Sequence, residues 1–419
     1  MVSEQSDDIT KEWKLYMYLL RCAIWGEKTN EDVFKQYEGI ESSKLMKRAK
    51  ESGQSFLLNE VINAYAVYCG EEIQDNQNLQ YTIYEYEKYK CIRNVIKQAK
   101  DNNIPFVIFK GCVLADLYPN YIQRSSCDTD IYVDKGYRQQ AIDMLVNCGY
   151  VINEEKSKDE VCVLKYNKFP HVIELHTCLW EDYNGRRLDI LESMQLTDKD
   201  RLIEIEACGM KVTTLGYEEH LIYQLFHIIK HFSLEGIGVK YLADITLYVN
   251  SYGKYIDYNS FWDKLEKLDY AKFSHYLFAI CVEFLGMDDS ILNNRHMIIG
   301  DELLELMFDL FNGGVMTGSK KDSWQILGIM TPYFTGEKKA GKNKFLRKLA
   351  VIFPRAKDMA DCYSYAKKWP ILLPFAWIDR IIKFIIRYYS PIANSYSTGE
   401  KLDVAEHRIS LMNKMGLLG

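Results

Sequence analysis

Three acidic residues have a spacing that suits a divalent cation. Asp128 and Asp130 lead into the apolar run IYV, and Glu174 lies within HVIELH (171–176). Alternate side chains of a strand project to the same side, so Asp128 and Asp130 would share one face. Two carboxylates on one face repel each other unless a cation neutralises them, and Mg²⁺ prefers carboxylates together with phosphate oxygens. These three residues are the predicted metal ligands.

Each of these acidic residues also has an ordinary structural explanation. An Asp-x-Asp pair is common on protein surfaces, and a glutamate on an edge strand can simply face the solvent. Inside an apolar strand, however, a carboxylate costs free energy unless it is paired or metal-bound. Glu174 shares its face of the strand with His176, so His176 would support Glu174 or face the same pocket.

Two basic residues and a glycine precede the acidic pair and could hold phosphate. Lys110 and Gly111 stand at a predicted junction between the strand FVIF (106–109) and a helix. Backbone N–H groups at a helix N-terminus attract anions, and glycine lets a phosphate approach the backbone closely. Arg124, four residues before Asp128, can bind phosphate through two hydrogen bonds. A glycine at such a junction is usually only a turn, and Arg124 could be an ordinary surface residue.

Two further pairs are spaced four residues apart in predicted helices, which puts each pair on one helical face. His227 and His231 have a spacing that could bind zinc, but no third ligand of matching specificity accompanies them, so histidines of the core or of a groove are favoured. Lys240 and Asp244 could form an ordinary salt bridge within their helix or line a cleft.

The hydrophobic pattern divides the chain into three regions that would position these residues. Helical periodicity dominates residues 1–103, short strands and helices alternate over 104–215, and helices return over 216–419. The predicted strands cover 106–109, 130–134, 161–166 and 171–176, and one further hairpin or strand pair ends near 215. The predicted fold class is α+β, with a small mixed-sheet core between N-terminal and C-terminal helical regions.

The amino-acid composition argues against a protein that binds long nucleic acids. The 419 residues include 52 Lys and Arg against 58 Asp and Glu, a net charge of -6. Nucleic-acid binders usually have a basic excess, so no long nucleic acid is expected as a partner. The basic tract KKAGKNKFLRK (338–348) is interpreted as a solvated loop, with RNA contact as the alternative.

Cysteine usage and hydropathy indicate a cytoplasmic protein. The 11 cysteines include no Cys-x-x-Cys pair, and the acidic, polar N-terminus is not typical of a signal peptide. The most apolar segment, residues 369–389, contains four charged residues and no uncharged stretch long enough to span a membrane. An amphipathic helix packed on the protein is predicted there, with a helix on a membrane surface as the alternative.

The ordered set of motifs resembles a known family. FVIFKGCVLADLYPNYIQRSSCDTDIYVD (106–134), followed by VIELH (172–176), is similar to the uncharacterised nucleotidyltransferase family of the polymerase-β-like superfamily. That family shows a strand, Leu-Lys-Gly, a helix ending in Tyr-Pro, an arginine, Asp-x-Asp on a strand and then Glu-x-His. The resemblance is close over about 104–180 and weaker to about 250.

The resemblance implies a metal-dependent transfer of a nucleoside monophosphate from a nucleoside triphosphate, expected to be ATP, to an acceptor hydroxyl, with release of pyrophosphate. Asp128, Asp130 and Glu174 would be catalytic and would hold Mg²⁺ or Mn²⁺. The residues implied for nucleotide binding are Lys110, Gly111, Arg124, His176, His231 and Lys240. The acceptor stays open: a small molecule, a peptide or protein hydroxyl, or an RNA end such as that of tRNA.

One departure from the superfamily pattern favours a second hypothesis. Where the superfamily places a serine after the glycine, this chain has Cys112, so the hydroxyl contact to the triphosphate is missing. The alternative is therefore a catalytically degenerate nucleotide-binding or protein-interaction module of the same fold. The intact set of Asp128, Asp130 and Glu174 counts against it.

Overall fold

A computed structural model provides the structure of the protein. It describes residues 2–72, 78–126, 128–180, 185–234, 236–295 and 300–311, several single residues between 353 and 359, and residues 363–388 and 407–417. The basic tract over 338–348, for which RNA contact was an alternative, lies outside the described residues.

Seven strands and a larger number of helices make up the described chain. The strands are β1 (Val107–Phe109), β2 (Asp128–Tyr132), β3 (Tyr150–Ile152), β4 (Val161–Tyr166), β5 (Val172–His176), β6 (Ile203–Ala207) and β7 (Met210–Thr214). The helices before β5 are α1 (Val2–Trp25), α2 (Glu31–Phe34), α3 (Ser42–Glu51), α4 (Ser55–Tyr68), α5 (Asn78–Asp101), α6 (Gly111–Ala115) and α7 (Arg138–Asn147). Those after it are α8 (Gly185–Ser193), α9 (Tyr217–Leu234), α10 (Lys240–Tyr252), α11 (Tyr258–Lys267), α12 (Ala271–Leu285), α13 (Asp301–Phe311), α14 (Ser364–Lys368) and α15 (Leu373–Tyr388).

The central sheet is mixed and has the strand order β1-β2-β5-β4-β3. Strand β2 runs parallel to β5, and the other neighbours in this sheet are antiparallel. Strands β6 and β7 form a separate two-stranded hairpin. The predicted α+β class with a small mixed sheet among helices is confirmed. The sequence missed β3, a three-residue edge strand whose residues are too few to show an alternating pattern.

The two faces of the central sheet differ in chemistry because side chains alternate along each strand. Ile131, Ile173 and Leu175 point to an apolar core that also contains Val95 of α5 and Leu145 of α7. The residues next to them in sequence therefore project from the opposite face. That face carries the acidic residues of β2 and β5. Burial of the apolar side chains therefore places the acidic side chains on the opposite face of the sheet.

The described residues form two compact units. The first comprises the described residues within 1–227 and 239–298, and the second comprises those within 228–238 and 299–419. In the first unit, α1 packs on α12: the indole N–H of Trp25 donates to the Leu285 carbonyl at 2.7 Å, and the rings of Trp13 and Phe284 meet edge to face at 4.4 Å. The two units have other boundaries than the three regions predicted from the sequence, and that three-region division stays a prediction.

The second unit has a small core of its own. Met359, Tyr363, Ala366 and Ala376 are buried together, and the guanidinium of Arg408 pairs with Asp309. The predicted apolar helix corresponds to α15, which buries Ala376 here while leaving other apolar side chains exposed. Among the described residues, the structure contains no helix with the length and hydropathy required to cross a membrane.

Candidate active site

Asp130 is the centre of a buried cluster of charges on the polar face of the sheet. Its Oδ2 lies 3.0 Å from the Lys110 ammonium, and its Oδ1 lies 3.2 Å from His176 Nε2. Burial by itself would raise the pKa of Asp130, but Lys110 and His176 outweigh it, and the pKa is held well below its usual range. Asp130 is therefore an ionised carboxylate with a cation on one side and an imidazole on the other.

Glu174 stands beside Asp130 because β2 and β5 pair in parallel with these two residues opposite each other. Its Oε2 lies 3.7 Å from His176 Nε2, and its side chain keeps 32% of its exposure, against 5% for Asp130. Burial, followed by the negative charges of Asp130 and Asp128, raises the pKa of Glu174. Of the two carboxylates, Glu174 is the more exposed and the one whose ionised form is disfavoured.

Asp128 begins β2 and lies on the same face, two residues before Asp130. Its partner across the parallel pair is Val172, and its carboxylate is half-buried. Its charge contributes to raising the pKa of both Glu174 and Lys110. Asp128 and Asp130 thus both act electrostatically on Glu174.

The donor set fits a divalent cation. Asp130, Glu174 and His176 each offer one ligand atom, and these atoms lie within 4.8 Å of one another. Carboxylate oxygens are hard ligands that suit Mg²⁺ and Mn²⁺, whereas imidazole suits softer transition metals. Burial, and after it the charges of Asp130 and Asp128, raises the pKa of Glu174, so a cation bound there would stabilise its ionised form. Metal ligation by Asp130 and Glu174 stays a prediction, and so does ligation by Asp128, which the compact group of ligand atoms does not include.

Lys110 reaches Asp130 from a strained turn between β1 and α6. Its backbone has φ 54° and ψ −122°, a conformation that costs free energy for any residue with a side chain. The turn is held by His220, whose Nε2 accepts a hydrogen bond from the Lys110 N–H at 3.1 Å. Gly111 follows with φ 27°. Burial would lower the pKa of Lys110, but Asp130, Tyr223 and Asp128 raise it overall, so the side chain is a permanent cation.

His220 must be neutral to hold this turn, because its Nε2 is an acceptor. Burial, together with the positive charges of Lys110 and Arg124, lowers the pKa of His220 to about 3. The proton of the neutral ring therefore resides on Nδ1. The His220 imidazole holds the backbone of Lys110, and the Lys110 side chain points at Asp130.

Arg124 is engaged in a buried ion pair. Its Nε and Nη2 donate to the two carboxylate oxygens of Asp244 at 2.7 and 2.8 Å, and the hydroxyl of Tyr118 donates to the same carboxylate at 2.8 Å. A third nitrogen, Nη1, lies 3.4 Å from the Gly111 carbonyl. Arg124 and Asp244 therefore join the Gly111 turn to α10, and nucleotide binding by Arg124 stays a prediction.

The remaining predicted residues lie on α9 and α10. The ammonium of Lys240 donates to the Ser125 carbonyl, just before β2. His227 lies among the rings of Tyr223 and Tyr241, with centroids 6.3 and 6.0 Å away. His231 is half-buried and belongs to the second compact unit. The structure brings Lys110 and His176 into contact with the acidic cluster and places Gly111 next to Lys110. A nucleotide role stays a prediction for these three residues as it does for His231 and Lys240.

A comparison with known protein families identifies the family to which this chain belongs. The profile of the uncharacterised nucleotidyltransferase family matches residues 76–286, a range that includes the acidic cluster and the Lys110 turn. The chain belongs to this nucleotidyltransferase family. The predicted family and the predicted enzyme class are confirmed. No curated protein sequence matches the chain significantly.

Two solved structures resemble part of the chain. One is a solution structure of the antibiotic-resistance factor ANT(2'')-Ia, with 14% identity and a TM-score of 0.33, covering 46% of this chain and 94% of that one. The other is a crystal structure of ANT(2")-Ia in complex with adenylyl-2"-tobramycin, with 13% identity and a TM-score of 0.30, covering 42% of this chain and 91% of that one.

Within this nucleotidyltransferase, sequence reasoning missed three supporting residues. It assigned no role to His220 or to the Tyr118 side chain, and it considered Lys240 rather than Arg124 as the partner of Asp244. Each contact joins residues more than a hundred positions apart. The spacing along one helix, which was the available signal, carries no information about such partners.

Proposed function

We propose that this enzyme transfers a nucleoside monophosphate from a nucleoside triphosphate, with ATP as the expected donor, to the hydroxyl of an acceptor. The supporting observation is the convergence of Lys110, Asp130, Glu174 and His176 on one face of the sheet. In a nucleotidyltransferase, such a cluster provides both charges that the reaction requires: a cation for phosphate oxygens and carboxylates for a metal.

The chain's own groups would position the nucleotide. Lys110 carries a fixed positive charge at the turn, and the Gly111 backbone leaves open space beside its Cα. Phosphate oxygens bound there would be neutralised by Lys110 as charge moves onto the leaving pyrophosphate. Arg124 would act by holding the Gly111 carbonyl, and Lys240 by holding the Ser125 carbonyl near β2.

Asp130 and Glu174, with Asp128 beside them, would hold Mg²⁺ or Mn²⁺. When bound, the metal would supply electrophilic stabilisation of phosphate oxygens and would favour ionisation of the acceptor hydroxyl. His176 would hold Asp130 in place through the hydrogen bond to its Oδ1. Glu174, the more exposed carboxylate, would lie on the side that the acceptor approaches.

The proposed transfer conserves atoms and charge. The acceptor oxygen forms a bond to the α-phosphorus, and the bond from that phosphorus to the bridging oxygen of the β-phosphate breaks. The hydroxyl proton leaves to solvent by way of the Glu174 carboxylate, and pyrophosphate departs with the bond electrons. An acceptor bound beside Glu174 would be held for in-line attack.

Transfer of label from a nucleotide tests the proposal. Purified protein is incubated with Mg²⁺ or Mn²⁺, each α-phosphate-labelled nucleoside triphosphate and a cell extract, and labelled product and pyrophosphate are measured. Asp130→Asn is expected to reduce transfer more than about 100-fold, because loss of even an outer partner of a metal ligand costs about 10–100-fold. The matched control is Asp143→Asn, an exposed aspartate of α7, which should transfer like the wild type.

The alternative, a degenerate nucleotide-binding module, is favoured by one observation. Cys112 stands where the superfamily has a hydroxyl, and its thiol is buried with a pKa raised to about 12, chiefly by burial. Such a thiol stays neutral and is a weak donor to phosphate. Nucleotide binding without any transfer or pyrophosphate release would support this alternative over the enzyme.

The cytoplasm is the compartment we propose for this activity. The described cysteines, including the buried Cys22, Cys162 and Cys281, carry free thiols, and unpaired thiols are usual in a reducing compartment. A tRNA end remains among the acceptors that the extract experiment would reveal.

A further inference from the structure

His220 is a buried histidine in the first turn of α9 that the proposed transfer does not use. Its side chain is 1% exposed, and its Nε2 accepts a hydrogen bond from the Lys110 N–H at 3.1 Å, across 110 positions of sequence. We propose that His220 is a positioning residue for nucleotidyl transfer, which keeps the turn of Lys110 and Gly111 in the conformation that serves the nucleotide. The inference rests on the proposed function.

The turn between β1 and α6 has a backbone conformation that needs a restraint from outside. Lys110 has φ 54° and ψ −122°, and Gly111 follows with φ 27°. A residue with a side chain rarely adopts such angles, and it keeps them only where the surrounding structure determines them. The contact of Lys110 with Asp130 acts on the far end of the side chain. The hydrogen bond to His220 acts on the backbone N–H itself, so it restrains the strained residue directly.

The His220 ring is itself held in place by its neighbours. The backbone N–H of His220 donates to the Gly216 carbonyl at 2.8 Å, at the start of α9. Its ring meets the ring of Tyr248 edge to face at 5.1 Å, and the Tyr248 hydroxyl donates to the Tyr217 carbonyl at 3.0 Å. A side chain that is fixed by packing and by hydrogen bonds of its neighbours can hold another group precisely. The acceptor for the Lys110 N–H therefore stands at a defined place.

This arrangement has two energetic costs that the packing of α9 does not explain. Because Nε2 of His220 is the acceptor, the proton of the neutral ring is on Nδ1, and Nδ1 is buried without a hydrogen-bond partner among the described residues. A buried polar group without a partner is unfavourable, and the backbone of Lys110 is strained as well. Strain of this kind is concentrated at functional sites, where the geometry is part of the mechanism. The geometry of the turn is therefore what the contact serves.

The backbone angles of Lys110 determine the position of two groups that the transfer would use. They direct the Lys110 ammonium to within 3.0 Å of Asp130 Oδ2, and they orient the next peptide, beside which Gly111 leaves open space. The Lys110 N–H is engaged by His220, so the ammonium is the group that Lys110 would offer to phosphate. Without the His220 acceptor, rotation of the peptide at Lys110 would displace the ammonium and the Gly111 backbone together. A displacement of about 1 Å can reduce a catalysed rate about 100-fold.

The experiment removes the acceptor and then restores it. His220→Phe keeps an aromatic ring without a nitrogen, whereas His220→Gln provides an amide oxygen at about the reach of Nε2. Wild type and variants are incubated with α-phosphate-labelled ATP, Mg²⁺ and the extract fraction that accepts label, and kcat and KM for ATP are measured. We expect kcat/KM to fall about 10- to 100-fold in His220→Phe, mostly in kcat, because Lys110 would neutralise charge as it moves onto pyrophosphate. His220→Gln should return to within about fivefold of the wild type, the equivalent of one weakened hydrogen bond.

Two further variants separate positioning from a purely structural role. His275→Phe replaces another buried histidine, whose ring lies near Trp262, and should keep the wild-type kcat/KM whatever its effect on stability. His220→Asn keeps a polar side chain, but its amide oxygen reaches only about as far as Nδ1, so it should lose activity as His220→Phe does. It replaces His220→Phe as the deciding variant if the latter does not fold. Urea denaturation of each variant identifies the conditions under which all of them are folded.

The outcomes distinguish the role of His220 from the activity on which it rests. Loss of kcat/KM in His220→Phe and His220→Asn, with recovery in His220→Gln and no loss in His275→Phe, supports the proposal. Wild-type activity of His220→Phe, or equal losses in His220→Phe and His220→Gln, overturns the positioning role and leaves the nucleotidyl transfer standing. An equal loss in His275→Phe does the same. Absence of transfer by the wild type to any fraction overturns the proposed function and the positioning role with it.

Discussion

Buried charges at the site are arranged in compensating pairs. Lys110 lies against Asp130, and Arg124 lies against Asp244, with side-chain exposures of 12% or less in both pairs. Removing one partner of a buried pair leaves an uncompensated charge in a medium of low polarity, which is more costly than the pair is stabilising. Glu174 is the exception, since it gains no comparable cation and its pKa is raised.

Replacement of Lys110 by methionine tests this balance. Lys110→Met keeps most of the length of the side chain but leaves Asp130 buried without its ammonium, so the free energy of unfolding at pH 7 should fall by about 3–5 kcal/mol. Urea denaturation measures it. Lys90→Met is the control, because Lys90 pairs with Glu87 on the surface at 3.5 Å and should change stability by less than about 0.5 kcal/mol. Equal losses in both variants would contradict a special role for the buried pair.

At the scale of elements, the pairing of β2 with β5 assembles the acidic cluster. The parallel register puts Asp130 beside Glu174, and the antiparallel pair β1–β2 puts Phe109 beside Asp130. Lys110, the next residue after β1, therefore begins its turn at the edge of the cluster. A shift of either register by one residue would turn the carboxylates into the apolar core.

The same register predicts opposite effects of Glu174→Gln on stability and on metal binding. Because burial, Asp130 and Asp128 raise the pKa of Glu174, the ionised form is disfavoured in the folded state, and its removal should leave the melting temperature at pH 7 unchanged or higher. Wild-type protein should melt at a higher temperature when Mg²⁺ or Mn²⁺ is added, and Glu174→Gln should lose that increase.

Thermal melts with and without the metal ions provide the measurement. Glu206→Gln, on the exposed side of β6, is the matched control and should retain the metal-dependent increase. A metal-dependent increase that survives in Glu174→Gln would exclude Glu174 as a ligand.

For the molecule as a whole, the first compact unit is held by polar contacts between distant segments as well as by its cores. His220 of α9 holds the Lys110 turn. His171 lies behind the sheet, where its two ring nitrogens contact the hydroxyls of Thr129 and Tyr150 at 3.0 and 2.9 Å. Both histidines are buried and neutral, so both link the stability of the fold to pH.

Stability should therefore decline in mild acid. Burial and nearby Lys88 lower the pKa of His171 to about 3, and the pKa of His220 is also about 3. An unfolded histidine titrates near 6.5, so below that pH the unfolded chain binds protons that the folded chain does not. Between pH 7 and 5, each histidine should remove about 2 kcal/mol from the free energy of unfolding.

Urea denaturation at a series of pH values checks this slope. His171→Gln and His220→Gln should each make the decline shallower by about one histidine's share, roughly 2 kcal/mol, whatever their effect at pH 7. His407→Gln, at an exposed histidine, should keep the wild-type slope. If the free energy of unfolding declines with falling pH equally in the wild type and in all three variants, groups other than His171 and His220 cause the acid sensitivity.

The alternation along β2 and β5 determined, from the sequence alone, that Asp128 and Asp130 share a face and that Glu174 and His176 share a face. Alternation is a local property of the backbone, so it survives whatever the strands pack against. The Lys110-Gly111 turn and four of the five strands of the central sheet were also predicted from local sequence patterns. The family could be identified because its motifs combine several such local signals in a fixed order.

Only the tertiary structure decided which partner each charged group has. Arg124 was a predicted phosphate ligand, yet in the fold it pairs with Asp244, 120 positions along the chain. The same holds for Lys110, whose backbone N–H donates to His220 of α9. Partner choice depends on how apolar faces pack and which strands become neighbours. The spacing of residues along the chain contains no information about this packing or about neighbouring strands, because it describes one helix or strand at a time.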